Sequence, residues 1–145
     1  MVDLGPGQKP VVMTHYPHML AEDIAVWSKY LRAPIAPISK LWYDIHVGAG
    51  IEVRLDATEV EKSVALGVGR KRIDVICKVG GGYWVVEIKP FASMLAVGQA
   101  LCYTRLFTSE YSPDGKVFPV VVCDSADEDL RDAYDDFGVA VIQND

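Results

Sequence analysis

The spacing of apolar residues early in the chain predicts an amphipathic helix. Four large apolar residues recur every three or four positions, which is the spacing of one stripe along a helix. They are Leu20, Ile24, Trp27 and Leu31. Pro34 follows them and ends the pattern, because proline cannot continue a helix. We expect the stripe to pack against the rest of the protein.

The next stretch is predicted to be extended and then to turn. Residues 41–55 are rich in β-branched and aromatic side chains, and Gly48 and Gly50 mark a bend or bulge. Residues 58–66 fit either a short helix or a flap. Two further glycines would end that element.

A β-hairpin is predicted in the middle of the chain. The runs 72–79 and 83–89 are dense in β-branched and aromatic residues, and three glycines at 80–82 separate them. Pro90 closes the second run, since it cannot donate to a strand ladder.

The second half of the chain predicts two helices alternating with two strands. Residues 93–107 have helical spacing, with Leu95, Cys102 and Leu106 on the face expected to be buried. Residues 117–123 form a continuous apolar run, typical of a strand covered on both sides. An acidic helix from Ser125, its expected N-cap, to Phe137 and a last strand at 139–142 complete the chain.

This order, α-β-β-β-α-β-α-β, predicts an α/β fold with a mixed sheet: an antiparallel meander followed by crossover strands. The chain has 145 residues, half of them hydrophobic, so we expect one domain over 1–145 and exclude disorder. No apolar run approaches the roughly 20 residues of a membrane helix, and residues 1–10 lack signal-peptide features. We therefore expect a cytoplasmic protein without a membrane partner. The three cysteines are expected to be buried free thiols.

The net charge of −6 is unevenly distributed along the chain. Residues 124–145 hold eight acidic residues and one arginine, whereas residues 1–123 hold 13 basic and 12 acidic residues. The basic cluster Arg70, Lys71 and Arg72 lies in this nearly neutral part. It either contacts a DNA backbone or forms a solvated entrance to the strand that follows.

Charged residues interrupt both strands of the predicted hairpin. Asp74 stands in the first strand, and Glu87 and Lys89 in the second. An ionised carboxylate among apolar neighbours is unfavourable unless it is paired or binds a metal. Glu87 and Lys89 share one face, because side chains alternate along a strand.

The hairpin register decides whether Asp74 joins that face. A two-residue loop at Gly81 and Gly82 pairs Asp74 with Lys89, and a four-residue loop over 79–82 pairs Asp74 with Glu87. Both place all three residues on one face, whereas a three-residue loop sends Asp74 to the other. The alternative to a metal site is a structural salt bridge on a half-exposed sheet.

Asp74, a gap of 12 residues, and then Glu87-Ile88-Lys89 resemble the core motif of the PD-(D/E)XK nuclease superfamily. Gln99 and Tyr103 resemble the additional Q-x-x-x-Y motif of its RecB-like branch. The resemblance covers residues 20–123 and departs from the pattern in having isoleucine, not proline, before Asp74. It implies a restriction-endonuclease-like core of order αβββαβ, here with a C-terminal αβ extension.

The resemblance also implies a role for each of these residues. Asp74, Glu87 and the carbonyl of Ile88 would ligate Mg²⁺ or Mn²⁺, ions that prefer oxygen ligands. Lys89 would orient the attacking water and stabilise the developing charge, and Gln99 would support the catalytic set. Arg70, Lys71, Arg72 and Tyr103 would bind DNA.

The family often adds an acidic residue from the first helix. Glu22 fits by residue type, but it lies about 160° from the apolar stripe, and Asp23 lies only about 70° from it. Asp23 therefore has better access to a site on the sheet, although both acids also suit a solvated helix N-terminus.

The predicted function is a metal-dependent DNA nuclease that hydrolyses phosphodiester bonds in repair, recombination or defence. The alternative is a non-catalytic module of the same fold that binds a protein partner through its acidic C-terminal helix. The sequence leaves open whether the chain forms a homodimer, which DNA structure it prefers, and whether it is an endonuclease or an exonuclease.

Overall fold

A computed structural model describes residues 1–50 and 54–145, and within this part a five-stranded mixed sheet carries helices on both faces. The helices are α1 (Ala21–Arg32), α2 (Glu59–Gly69), α3 (Met94–Tyr111) and α4 (Arg131–Asp136). The strands are β1 (Lys40–Val47), β2 (Lys71–Val79), β3 (Gly82–Ile88), β4 (Phe91–Ala92), β5 (Val117–Cys123), β6 (Ser125–Ala126) and β7 (Ala140–Gln143). No helix in these described ranges is both long and apolar enough to cross a membrane.

The strand order of the main sheet is β1-β2-β3-β5-β7. β1, β2 and β3 pair antiparallel, whereas β5 pairs parallel with β3 and with β7. The helix α3 makes the crossover between β3 and β5, as a parallel pair requires. This arrangement confirms the predicted fold class and is consistent with a restriction-endonuclease-like core.

The first helix packs its apolar stripe onto one face of the main sheet. Trp27 is fully buried, stacks on Tyr30, and donates its indole N–H to the hydroxyl of Tyr43 on β1 at 2.9 Å. The helix confirms the prediction, except that Leu20 precedes its first turn and is exposed.

The opposite face of the main sheet is covered by α3, and the predicted face of this helix is wrong at two of its three positions. Leu95 and Cys102 are exposed, and Leu106 is partly buried against the core. Ala96 and Ala100 lie against the sheet together with Val97 and Phe107. Small side chains let the helix axis approach the strands closely, so the alanines take the inner positions. Cys102 is accordingly not the buried thiol expected, whereas Cys77 and Cys123 are buried.

The predicted helix from Ser125 to Phe137 is shorter and begins later. The backbone N–H groups of Asp124 and Ser125 donate to the carbonyl of Pro90, and β6 pairs with β4. Ser125 is therefore in a strand, and Asp127 instead caps a 3₁₀ turn (Glu128–Leu130) by accepting from the N–H of Asp129. The helix α4 follows that turn directly.

The extended segment predicted for 41–55 is shorter in the structure. The strand β1 ends at Val47, and residues 51–53 of the prediction lie outside the described residues. Of the two alternatives for residues 58–66, the structure has the helix: α2 begins after Thr58, whose hydroxyl accepts from the N–H of Glu61 at 3.1 Å.

The turn between β2 and β3 is held tightly against the segment that precedes β5. Val79 pairs with Gly82, so Gly80 and Gly81 form a two-residue turn, and Gly80 has φ +57°. A positive φ at the first turn residue suits glycine. A Cβ on Gly115 would lie 2.1 Å from the carbonyl oxygen of Gly81, so only glycine fits at 115.

We expect Gly115→Ala to lower the free energy of unfolding by about 2 kcal/mol or more, because the turn must move to admit the methyl group. Gly81→Ala is the matched control, since its Cβ would meet no described atom within 4 Å. Thermal unfolding of both variants checks this. Equal melting temperatures for Gly115→Ala and Gly81→Ala would contradict the close packing of the turn.

Candidate active site

The observed hairpin register places Asp74 opposite Glu87. Val75 pairs with Val86. Asp74 directly precedes Val75 and Glu87 directly follows Val86, so the two acids stand opposite each other. The structure therefore has the pairing that the four-residue loop over 79–82 predicts. Val79 and Gly82 also pair with each other in this register, so the turn itself contains only Gly80 and Gly81. The two carboxyl groups lie within hydrogen-bonding distance of each other. They therefore share one face of the main sheet, the face that α3 covers.

Glu87 is the most deeply buried acid of the site. Its side chain is 2% exposed, and its Oε1 atom has no hydrogen-bond partner among the described residues. Burial raises the pKa of Glu87 well above its ordinary value, and the negative charge of Asp74 raises this pKa further. Glu87 therefore holds a proton more readily than an ordinary glutamate.

Asp74 is better compensated than Glu87. Its Oδ2 atom accepts a hydrogen bond from the backbone N–H of Ile88 at 2.9 Å. Burial raises the pKa of Asp74, while this N–H and the charge of Lys89 lower it. Asp74 is therefore the carboxylate that accepts, and Glu87 the one that donates, when the pair shares a proton. The predicted role of the Ile88 carbonyl stays a prediction.

Lys89 and Asp23 complete the charged surroundings of the pair. Lys89 follows β3 directly, and its positive charge lowers the pKa of Asp23, Asp74 and Glu87 against the effect of their burial. Asp23 is only 9% exposed, and its pKa is raised by burial first and then by the charge of Asp74. Glu22 is exposed. Of the two acids in the first turn of α1, Asp23 is the one that interacts electrostatically with the site.

Two side chains of α3 lie over the carboxyl pair. The pKa of Tyr103 is raised by burial first and then by the charge of Glu87, while the neighbouring Gln99 side chain lowers it. The Oε1 atom of Gln99 is buried and, like that of Glu87, has no partner within the described part of the chain. The structure thus brings both predicted helix residues to the site, where their functional roles stay predictions.

The basic cluster before Asp74 is mostly engaged within the protein. The Arg70 guanidinium donates to the backbone carbonyls of Gly48 and His46 and forms an ion pair with Glu110. Arg72 lies 3.3 Å from a carboxylate oxygen of Asp44, whereas Lys71 is exposed. Arg70 therefore anchors the start of β2. The DNA-binding role of the cluster stays a prediction.

A second charged cluster adjoins the site and has no motif in the sequence. Asp44 has φ +55° and stands opposite Asp74 in the pairing of β1 with β2, where its charge raises the pKa of Asp74. Asp44 was identifiable as a lone acid in an apolar strand. The Nε2 atom of His46, on the same strand, lies 3.5 Å from its carboxylate, whereas its other two partners, the Nε2 atom of His18 at 3.3 Å and Arg72, come from distant segments.

The side chains present fit a hard divalent cation. Two carboxyl groups adjoin each other, and the buried Oε1 of Glu87 lacks a donor in the ranges that the structure describes. Such an oxygen is unfavourable unless a donor or a cation reaches it. Among the described residues, no three or more His, Cys, Asp or Glu side chains are grouped to hold a metal ion. The expected metal ligands are the two carboxyl groups of Asp74 and Glu87 and the backbone carbonyl of Ile88. This ligand set stays a prediction.

Comparisons with known proteins identify a structural similarity. Neither a family model nor a curated protein matches the chain. Among solved structures, the chain is similar to the crystal structure of a repair endonuclease from Pyrococcus abyssi, at 17% sequence identity and a TM-score of 0.44. The match covers 70% of this chain and 38% of the other, so the chain spans well under two thirds of that protein.

The burial of Glu87 predicts a stability that depends on pH. In the unfolded chain Glu87 ionises near its ordinary pKa of 4.5, whereas the folded protein keeps it protonated to a higher pH. Folding then takes up a proton, so the free energy of unfolding falls as the pH rises above that ordinary value. Glu87→Gln cannot ionise, and its amide can still donate to Asp74. We expect the variant to exceed the wild type by about 1 kcal/mol or more near pH 8, with a smaller difference near pH 5.

Thermal unfolding across this pH range, without divalent ions, measures the difference. Glu22→Gln is the matched control, because Glu22 is exposed on α1. We expect the control to show no gain that grows with pH. A Glu87→Gln variant less stable than the wild type near pH 8 would show that the ionised carboxylate is well compensated in the fold.

Proposed function

We propose that this protein is a metal-dependent deoxyribonuclease that hydrolyses phosphodiester bonds. The observation that carries the proposal is the pair of adjoining carboxyl groups of Asp74 and Glu87, with one oxygen buried and unpartnered among the described residues and with the charge of Lys89 beside them. A strand pair rarely keeps such groups unless they bind something, because their burial is unfavourable.

Asp74, Glu87 and the carbonyl of Ile88 would hold Mg²⁺ or Mn²⁺. When bound, the ion would lower the pKa of a water molecule and stabilise negative charge on the phosphate oxygens. The hydrogen bond from the Ile88 N–H to Asp74 would keep that carboxylate in place. Asp23 faces the same charges from α1 and is a further acidic group at this site.

Lys89 would orient the attacking water and stabilise the charge that develops on the phosphate. Its position supports this role, since its charge acts on all three carboxyl groups. A fixed positive charge that meets developing negative charge is among the stronger catalytic devices. From α3, Gln99 would support the catalytic set and Tyr103 would contact the DNA.

DNA is the proposed substrate, and repair, recombination or defence is the proposed setting. Lys71 is exposed at the start of β2, and Arg72 lies close to Asp44 on the neighbouring strand. Both would contact phosphates, and such contacts weaken as the salt concentration rises. Arg70 would contribute by holding the start of β2 rather than by direct contact.

A second candidate function is a non-catalytic module that binds a protein partner. The observation that favours it is the row of exposed acidic side chains along α4 and the turn before it. A titration with Mn²⁺ separates the two candidates, because the nuclease requires the ion at Asp74 and Glu87 and the module does not.

Two substitutions separate metal binding from turnover. Glu87→Ala removes a ligand, so we expect both Mn²⁺ affinity and DNA cleavage to fall. Lys89→Ala leaves the oxygen ligands in place, so we expect Mn²⁺ to bind while cleavage slows by about 10²-fold or more. Calorimetric titration with Mn²⁺ and cleavage of linear, circular and branched DNA in Mg²⁺, Mn²⁺ or EDTA measure the two quantities.

Lys29→Ala is the matched control, because Lys29 is exposed on α1. We expect its cleavage rate to equal that of the wild type. If Lys89→Ala cleaves as fast as this control, Lys89 is a structural ion-pair partner. If the wild type neither binds Mn²⁺ nor cleaves any of the substrates, the proposed function is wrong.

A further inference from the structure

An apolar groove lies between α3 and α4, apart from the carboxyl pair. Its volume is about 310 Å³, and its surface is formed almost wholly by apolar atoms. Four positions of its C-terminal wall recur at helical spacing: Leu130, Ala133, Tyr134 and Phe137. The other wall includes Met94, Gly98 and Leu101 of α3.

Large apolar side chains stand open to water at this groove. Met94 is 75% exposed and Phe137 is 61% exposed. The hydroxyl of Tyr134, in contrast, donates to the backbone carbonyl of Ala92 at 2.7 Å. This hydrogen bond holds the buried Tyr134 side chain in place as the floor of the groove. A buried floor with exposed methionine and phenylalanine at its edges is typical of a surface that binds another apolar surface.

Gly98 keeps the groove open at a cost to the helix. Glycine inside a helix is about 1 kcal/mol less favourable than alanine. Nothing in the described packing requires it, because a Cβ on Gly98 would meet no described atom within 4 Å. Since Gly98 lines the groove, a larger side chain there would project into the open space. The helix thus gives up stability at a wall position where a side chain would project into the groove.

The charge beside the groove is one-sided. Exposed acids follow the C-terminal wall at Asp129, Asp132, Asp135 and Asp136. Residues 94–104 of α3 carry no charged side chain. An occupant therefore meets negative charge along one flank only. A second copy of the same surface would add further negative charge and offer no complement to it, so a cationic partner suits this flank better than self-association does.

We propose that this groove binds an amphipathic helix of a partner protein, with apolar side chains in the groove and Lys or Arg along the flank that faces α4. Apolar anchors at helical spacing suit a groove between two helices. The carboxylates would contribute mainly to the rate and orientation of binding. The site is independent of the proposed nuclease function, because Gln99 and Tyr103 point from α3 toward the carboxyl pair instead.

The probe is a fluorescein-labelled synthetic peptide of about 15 residues, long enough to form a helix. It carries leucine at one helical stripe and lysine on both flanks. A second peptide has glutamate in place of every lysine, and a third has the lysine peptide's composition in an order that breaks the stripe. Fluorescence anisotropy measures affinity, and amide chemical shifts locate the contact.

We expect only the striped lysine peptide to bind, with shifts confined to residues 94–101 and 130–137. Gly98→Leu should weaken this binding by about tenfold or more, which corresponds to about 1.4 kcal/mol. It should stay folded, because leucine favours a helix more than glycine does. The matched control is Ser109→Leu, which adds the same side chain to an exposed position of α3 outside the groove.

Asp132→Asn combined with Asp136→Asn should also weaken binding and reduce its dependence on salt. The proposal is overturned if the glutamate peptide binds equally well, if Gly98→Leu binds like Ser109→Leu, or if no peptide binds. It is also overturned if light scattering shows a dimer of the wild type that Gly98→Leu abolishes, since a second copy would then occupy the groove. Loss or retention of DNA cleavage bears on the nuclease proposal alone.

Discussion

The pairing of β2 with β3 is the constraint on which the candidate active site depends. With Val79 opposite Gly82, Asp74 stands opposite Glu87, and a slip of one residue would send Asp74 to the other face of the main sheet. The register is held at the far end of the hairpin, where the glycine turn packs against Gly115. The chemistry at one end of two strands is thus determined by backbone packing at the other end.

That register places two acids where the fold itself would prefer apolar residues. Most of their neighbours on β2 and β3 are buried and apolar, and α3 covers the face on which they lie. Only part of the unfavourable burial is offset, by the N–H of Ile88 and the charge of Lys89. The part of the burial that is not offset lowers the stability of the fold, and such a local loss of stability is typical of a functional site. Asp23 and Asp44 increase this loss of stability, because each adds negative charge near Asp74.

Local patterns predicted the sheet and the hairpin well, since dense β-branched runs separated by glycines leave few alternatives. These patterns could not select the hairpin register, because a two-residue loop and a four-residue loop both place Asp74 and Glu87 on one face of the sheet. The error at α3 has a different origin: periodicity finds the largest apolar residues, whereas close packing on a sheet selected Ala96 and Ala100. Ser125 failed as a cap because Pro90, far back in the chain, accepts its N–H. The cluster around Asp44 joins segments that no local pattern connects.

The exposure of Cys102 has a practical consequence. Of the three cysteines, Cys77 and Cys123 are buried, and burial raises the pKa of the Cys123 thiol to about 11. A maleimide reagent at neutral pH would therefore modify the native protein at one position, without any substitution. Cys102 stands on α3, the helix that meets the carboxyl pair with one side and the apolar groove with another. A single dye attached there would provide a spectroscopic reporter close to both surfaces, in the unaltered sequence.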